Sequence, residues 1–427
     1  MLEKMKVKRD APRGADKRLF EVETSASDVY VYGYPLVLSS IASRRMTDGK
    51  MNRFLRVFDE ELDRTFGTTA YIVSSCAWLD VGDEPIVLSI PAERRYYSIG
   101  VFDAWTIPLQ ELGLRVAGSA SHTVVFALRG QLPSISSDCV LLDVPTSLVY
   151  IGARVAAYSD DDRAKAKAFQ QSLKLRSIGG RAFDERRAGD LDGIASSREE
   201  IVKEVEALSG TEFFSIMSEL LLSNPAQPID KAIHRELESL GVKRGSWDHR
   251  ATPQMRAVAE RAARVGKLRI QRYGWDEIQR DEWGFDSVHS GTARDYVRRS
   301  ALAREWLHVD SPQDYVRLII DRDSSGERLD GKFNYSLTFD RWTEPPARGP
   351  WFVGTRPVST AIGAIAERNA DGTIQLCFSP VLDENVPASN YFPIASGPFS
   401  VVLHIFWPLD IILDGGWLPP EIERHAV

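Results

Sequence analysis

Tyr71-Ile72-Val73-Ser74-Ser75-Cys76-Ala77-Trp78-Leu79 is a short apolar run with period-two character, and it is the first of a series. Residues 86–89, 96–102 and 124–128 repeat the pattern, and turn formers such as Gly82-Asp83-Glu84-Pro85 and Pro133-Ser134 separate them. Side chains alternate across a strand, so such runs suit elements with one face in a core. Short strands with regular turn punctuation predict a β-sandwich or barrel over residues 25–158.

Working outward, residues 159–308 change texture. Asp160 is placed to cap a helix carrying Ala164, Ala168, Leu173 and Leu175. Ser197-Arg198-Glu199-Glu200 is a capping-box pattern. Thr211 precedes the amphipathic set Phe213, Phe214, Met217, Leu220 and Leu221, and Asn224-Pro225 stops it. Further helices are expected from Asp230 to Leu240, from Pro253 to Leu268 and from Asp295 to His308. Residues 309–427 return to strands at 315–320, 334–339, 373–378 and 399–407. The prediction is a mainly β fold with a helical insert: two β-sandwich or jelly-roll-like modules joined by an α-helical zone. No fixed-period repeat is visible, although the first and third zones read as similar β modules. On the N-terminal side, residues 27–44 read as helical up to Gly33, and the basic residues 1–24 as a tail.

Composition bounds the function. The 427 residues are 43% hydrophobic and 26% charged, as in ordinary globular proteins. With 53 basic and 60 acidic residues the net charge is −7, so the basic surplus of a nucleic-acid-binding protein is absent. Cys76, Cys139 and Cys377 lie far apart and suggest no zinc site. The most apolar run, 399–413, is interrupted by His404, Pro408 and Asp410, and no signal-type segment follows the N-terminus. The expectation is a cytoplasmic protein with no membrane or nucleic-acid partner, for which a homo-oligomer is compatible.

Motifs along the chain resemble a known family. They include Tyr30-Val31-Tyr32-Gly33-Tyr34-Pro35-Leu36, Ser74-Ser75-Cys76-Ala77-Trp78-Leu79-Asp80, Arg95-Tyr96-Tyr97 with Asp103-Ala104-Trp105, and Pro145-Thr146-Ser147-Leu148-Val149. Asp295-Tyr296-Val297-Arg298-Arg299, Leu329-Asp330-Gly331-Lys332, Gly397-Pro398-Phe399-Ser400 and Gly416-Trp417-Leu418-Pro419-Pro420 continue the series. Their order and spacing resemble the bacterial proteins with tandem domains of unknown function 1254 and 1214. The resemblance implies two β-sandwich or jelly-roll-like modules with helices between them. It implies little chemistry. The chain departs from it at Phe66-Gly67-Thr68-Thr69-Ala70-Tyr71, where members carry acid and amide groups, and at His404, where they carry an arginine.

Motifs of the commonest hydrolases, metalloproteases and nucleotide-binding proteins are missing: there is no GxSxG, HExxH, P-loop or GxGxxG. None of the seven histidines forms HxH or HxxxH, so no metal site is expected and no cofactor is specified. Tyr97 and Asp103 fall on one strand face if the strand is unbroken. A carboxylate beside a phenol there would be an acid/base pair, and the plainer alternative is a hydroxyl satisfied by a structural Asp. Arg154 ends an apolar stretch, where a lone cation is costly. It would bind an anionic group of a ligand or anchor zones one and two by an ion pair. Asp295 and Arg298 pair on one helix face, which leaves Arg299 to look elsewhere. Trp275, Trp283 and Trp306 gather where helices give way to loops and would line an apolar pocket or pack a loop onto a β module.

Two readings follow. One is a cofactor-independent hydrolase, lyase or isomerase acting on a small organic molecule, with Asp103 and Tyr97 catalytic and Arg154, Arg299, Trp283 and Trp275 binding. The other is a non-catalytic ligand- or partner-binding protein.

Overall fold

The first helix, α1 (Gly14–Thr47), does not stop at Gly33. It starts inside the stretch read as a tail and runs through Pro35. A proline inside a helix removes one N–H and leaves the carbonyl four residues back without its partner. That carbonyl belongs to Val31, and the buried Ser300 hydroxyl donates to it at 2.6 Å. Gly33 serves packing, because a Cβ there would collide with the Met217 sulfur. The computed structural model describes residues 14–56, 71–131, 133–183, 197–226, 230–247, 251–273, 284–285, 295–356, 361–363, 366–381 and 384–425.

Nine strands form the N-terminal module: β1 (Arg53–Arg56), β2 (Ile72–Asp80), β3 (Ile86–Ile90), β4 (Tyr97–Asp103), β5 (Pro108–Gly113), β6 (His122–Leu128), β7 (Cys139–Val144), β8 (Leu148–Ala156) and β9 (Lys174–Ser177). Short α2 (Leu114–Ala117) follows β5, and α3 (Asp160–Ser172) precedes β9. The cap of α3 is Ser159, whose side chain accepts the Asp162 N–H, rather than Asp160. A five-stranded sheet, β1-β2-β8-β4-β5, faces a four-stranded one, β7-β6-β3-β9. Val73, Ala77, Ile99, Val101, Val149 and Ile151 fill the space between, so every second residue of β2, β4 and β8 points inward. Because β9 belongs to this sandwich and Phe169 and Leu173 pack into its core, the module extends past residue 158 to Ser177.

The C-terminal module repeats this plan. Its strands are β10 (Gly284–Phe285), β11 (Tyr315–Ile320), β12 (Asn334–Phe339), β13 (Trp351–Arg356), β14 (Ala361–Gly363), β15 (Ile374–Ser379), β16 (Tyr391–Pro393), β17 (Ser400–Phe406) and β18 (Ile422–His425). Their orders are β10-β11-β17-β13-β14 and β16-β15-β12-β18. Adding nine to each strand number of the first module gives the second. The match includes the parallel pairs β6–β7 and β15–β16. The two modules share one strand order, although no sequence repeat announces it.

The helical zone joins them. The helices α4 (Arg198–Ala207), α5 (Gly210–Leu220), α6 (Lys231–Ser239), α7 (Pro253–Gln271) and α8 (Tyr296–Trp306) pack around α1 through Tyr30, Val37, Phe213, Met217, Ala262 and Ala301. Ser197 and Ser209 close capping boxes with Glu200 and Glu212. Ser209, not Thr211, therefore starts α5. The fold is mainly β with a helical insert, and α1 joins that insert from the far N-terminal side. Tyr71, Ile72, Tyr96 and Ala156 of the first sandwich meet Phe352 and Phe406 of the second in a small apolar cluster.

A candidate site between the two sandwiches

The outer face of the first five-stranded sheet carries three cross-strand rows: Ser74–Arg154–Ser98, Cys76–Gly152–Gly100–Glu111 and Trp78–Tyr150–Phe102. Trp78 and Cys76 pack on the helical core, whereas Ile72 and Ala156 meet the C-terminal module. Between these ends, residues 307–315 cross the sheet as a roof that links α8 to β11. Two glycines keep this face low: Gly100 leaves room for Asp310 of the roof, and Gly152 for the Tyr150 ring. A Cβ on Gly100 would lie 2.8 Å from Phe102 and 3.2 Å from Asp310, and one on Gly152 would lie 3.2 Å from the Tyr150 ring.

The roof is entered through a tight turn. Leu307 has φ 62° and ψ −56°, and His308 N–H donates to Trp306 O at 2.7 Å. This is a γ-turn with positive φ, a strained conformation for a side chain of this size. It delivers the His308 ring onto Tyr150, with centroids 3.8 Å apart and planes within 2°. Trp78 and Phe102 stand around it at 5.3 and 5.0 Å. Both imidazole nitrogens are enclosed and have no hydrogen-bond partner among the described residues. Burial pushes the His308 pKa well below the usual range, so the ring is neutral. Below it, burial pushes the Cys76 thiol up to about 12, which leaves it unreactive.

Further along the roof, Arg154 forms an ion pair with Asp310 and lies 5.5 Å over the Tyr315 ring. Burial opposes its charge, but Asp310 more than compensates and holds the guanidinium protonated. Arg154 keeps 24% of its side-chain surface against 6% for Asp310, so it is the more exposed partner of the pair. The Tyr315 hydroxyl meets His404 Nδ1 at 2.6 Å. At the edge, Arg115 pairs with Asp314 at 2.5 Å, and Tyr96 Oη donates to the Asp314 carbonyl at 2.8 Å. Glu111 Oε1 accepts the Ser311 N–H at 3.1 Å. Burial first, then Asp310 and Asp314, push the Glu111 carboxyl up to about 8.

The residues expected from sequence divide. Arg154 is in the site, tied to the segment leading into the C-terminal module. Tyr97 and Asp103 are not brought together. They end β4 at opposite extremes, six residues or roughly 20 Å apart along an extended strand. Tyr97 packs on Phe169 inside the sandwich, and burial pushes its phenol up to about 12. Asp103 Oδ1 accepts the N–H groups of Trp105 and Ile107, each at 2.9 Å, and so shapes the turn after the strand.

Arg299 sits in the helical core instead, 5.2 Å from both the Tyr32 and Tyr296 rings. The two hydroxyls of those rings converge on Asp230, at 2.9 and 3.1 Å. Trp275 and Trp283 lie outside the described residues. Trp306 carries the Arg317 guanidinium 3.5 Å over its ring, a contact that packs α8 on β11. Sequence reading missed His308, Glu111, Asp310 and Tyr315 as site residues. Their signals are a histidine just past a helix end and acids flanking Ser311, legible only once the roof is known. Among the described residues no group of three or more His, Cys, Asp and Glu side chains is arranged to hold a metal ion. None of the described helices is long and apolar enough to cross a membrane.

The fold and the seam define a class: two sandwiches of one strand order, closed on each other by a helical insert. Comparison with family models gives it a name. A domain of unknown function, DUF1254, matches residues 64–177, and a second, DUF1214, matches residues 314–410. The chain is a tandem DUF1254/DUF1214 protein. Its fold is similar to that of the VPA0106 protein from Vibrio parahaemolyticus, with TM-score 0.72 at 17% identity over 95% of this chain and 100% of that one. An uncharacterised protein from Burkholderia cenocepacia matches at 12% identity and TM-score 0.43, covering 96% of each chain. No curated protein matches.

Proposed function

We propose that the protein binds a small organic molecule in the seam between the two sandwiches and carries out proton transfer on it. The observation that supports this reading is the Tyr315–His404 hydrogen bond of 2.6 Å beside the Arg154 guanidinium. A phenol bonded to an imidazole can pass a proton in either direction, and a guanidinium alongside stabilises the oxyanion that such a transfer creates. All three side chains keep partial exposure, as groups that meet a ligand must. The ligand class is a carbonyl or carboxylate compound, whose oxygen would face Arg154 and Tyr315. The acid/base pair of this reading is Tyr315 and His404, in place of Tyr97 and Asp103.

A second reading, binding without chemistry, has one observation in its favour. Arg154 is already engaged by Asp310, which suits a closed recognition site as well as a catalytic one. One experiment separates the two. The full chain is screened by thermal shift against small carboxylic acids and ketones, and each hit is incubated with protein in deuterium oxide. Deuterium entering a carbon-bound position with the wild type, and not with Tyr315→Phe, supports proton transfer. Thermal shift without deuterium supports binding alone. No shift with any compound rejects both.

A further inference from the structure

Three carboxylates and two guanidiniums meet where the roof joins the first sandwich. Asp310 pairs with Arg154 and Asp314 with Arg115. Glu111 is the third acid, and it has no ion-pair partner among the described residues. It is 8% exposed, and its Oε2 atom is enclosed without a hydrogen-bond partner among the described residues. The charged groups acting on it from the neighbouring elements are Arg154 of β8, Arg115 of α2, and Asp310 and Asp314 of the roof, with Tyr96 before β4 set against Arg115 and Asp314. The two ion pairs balance each other. An ionised Glu111 would therefore leave one uncompensated negative charge in a desolvated seam, against two acids that flank the serine it holds.

We infer that Glu111 enters this seam as a neutral carboxylic acid and that its ionisation releases the roof, making residues 307–315 a proton-operated latch over the site between the sandwiches. The inference stands whether the site below is catalytic or only binds. With the roof open, Glu111 meets water and titrates as an ordinary carboxyl. With the roof closed it holds its proton up to about 8. The closed state therefore binds more protons, and closure is favoured at low pH and lost as pH rises through this window.

The test is hydrogen exchange of roof amides, Ser311 among them, in the full-length protein from pH 5 to 9, with each rate divided by its unstructured value. For the wild type, protection should fall about tenfold per pH unit up to about pH 8 and then level off. Glu111→Gln keeps the oxygen that accepts the Ser311 N–H and has nothing to ionise, so its protection should stay flat. Asp310→Asn serves as a second variant: one repelling acid is gone, so the fall should level off at lower pH. A wild-type profile as flat as that of Glu111→Gln, or the same slope in both proteins, overturns the latch. So does an unmoved end point in Asp310→Asn.

Discussion

Replacing His308 by Phe should stabilise this protein, and more so in acid. The imidazole is stacked on Tyr150 with both nitrogens enclosed and unpartnered among the described residues. A buried polar group left without a hydrogen bond costs about 1–3 kcal/mol. A phenyl ring keeps the stack and the contacts to Trp78 and Phe102 while removing both nitrogens. Its extra volume takes back part of the gain, so the net at pH 7.5 should be about 1–2 kcal/mol. The pH term adds to this. Burial lowers the folded-state pKa of His308 well below 6.5. Below that pH the unfolded chain takes up a proton that the folded chain refuses, so wild-type stability falls as pH falls. The slope is about 1.4 kcal/mol per unit, or about 2 kcal/mol between pH 6.5 and 5. The Phe variant lacks this loss. Urea unfolding of both proteins at pH 7.5, 6.5 and 5 measures the gap. A variant less stable than wild type at pH 7.5, or a gap that does not widen in acid, would refute the account of the cage.

Other consequences can be measured the same way. Ser300→Ala should cost about 1–3 kcal/mol by stranding the Val31 carbonyl, and adding Pro35→Ala should restore part of it, because an alanine at that position supplies the missing N–H. Additive effects in the double variant would show that Ser300 acts otherwise. Gly100→Ala should destabilise by about 1–3 kcal/mol through its clash with Phe102, and raise exchange of the roof amides through crowding of Asp310. Asp103→Ala should lose about 2–4 kcal/mol, from two orphaned amides, while Asp103→Asn should keep most of the stability. Equal losses in the Ala and Asn variants would speak against the turn role.

Much of the scaffold was legible because its signals are local. The period-two runs at 71–79, 86–89 and 96–102 are β2, β3 and β4, and the pattern at Ser197 is a working capping box. Arg154 was legible as a cation needing a partner, since it ends an apolar strand. Its partner was not, because Asp310 lies 156 positions away. The helix was read only as far as Gly33 for the same reason: the hydroxyl that satisfies the Val31 carbonyl and lets α1 run on through Pro35 comes from Ser300, 269 positions after Val31. Tyr97 and Asp103 do share strand parity, but parity says nothing of distance along the strand. The site was largely hidden because the roof supplies half of it. Glu111 and Asp314 look like ordinary surface acids until the chain folds them against each other.

The shared strand order of the two modules has a further meaning. When two copies of one subunit pack face to face about a two-fold axis, every residue near the axis appears twice. An acid placed there confronts its own twin, and neither face can specialise alone. Here the like faces belong to a single gene product, so each position is written separately. The first sheet can hold Arg154 and Glu111 while the second offers His404, Phe352 and Phe406. Covalent tandem architecture thus permits an unsymmetrical seam on a symmetrical frame, and an unsymmetrical seam can grip a molecule that has no symmetry of its own.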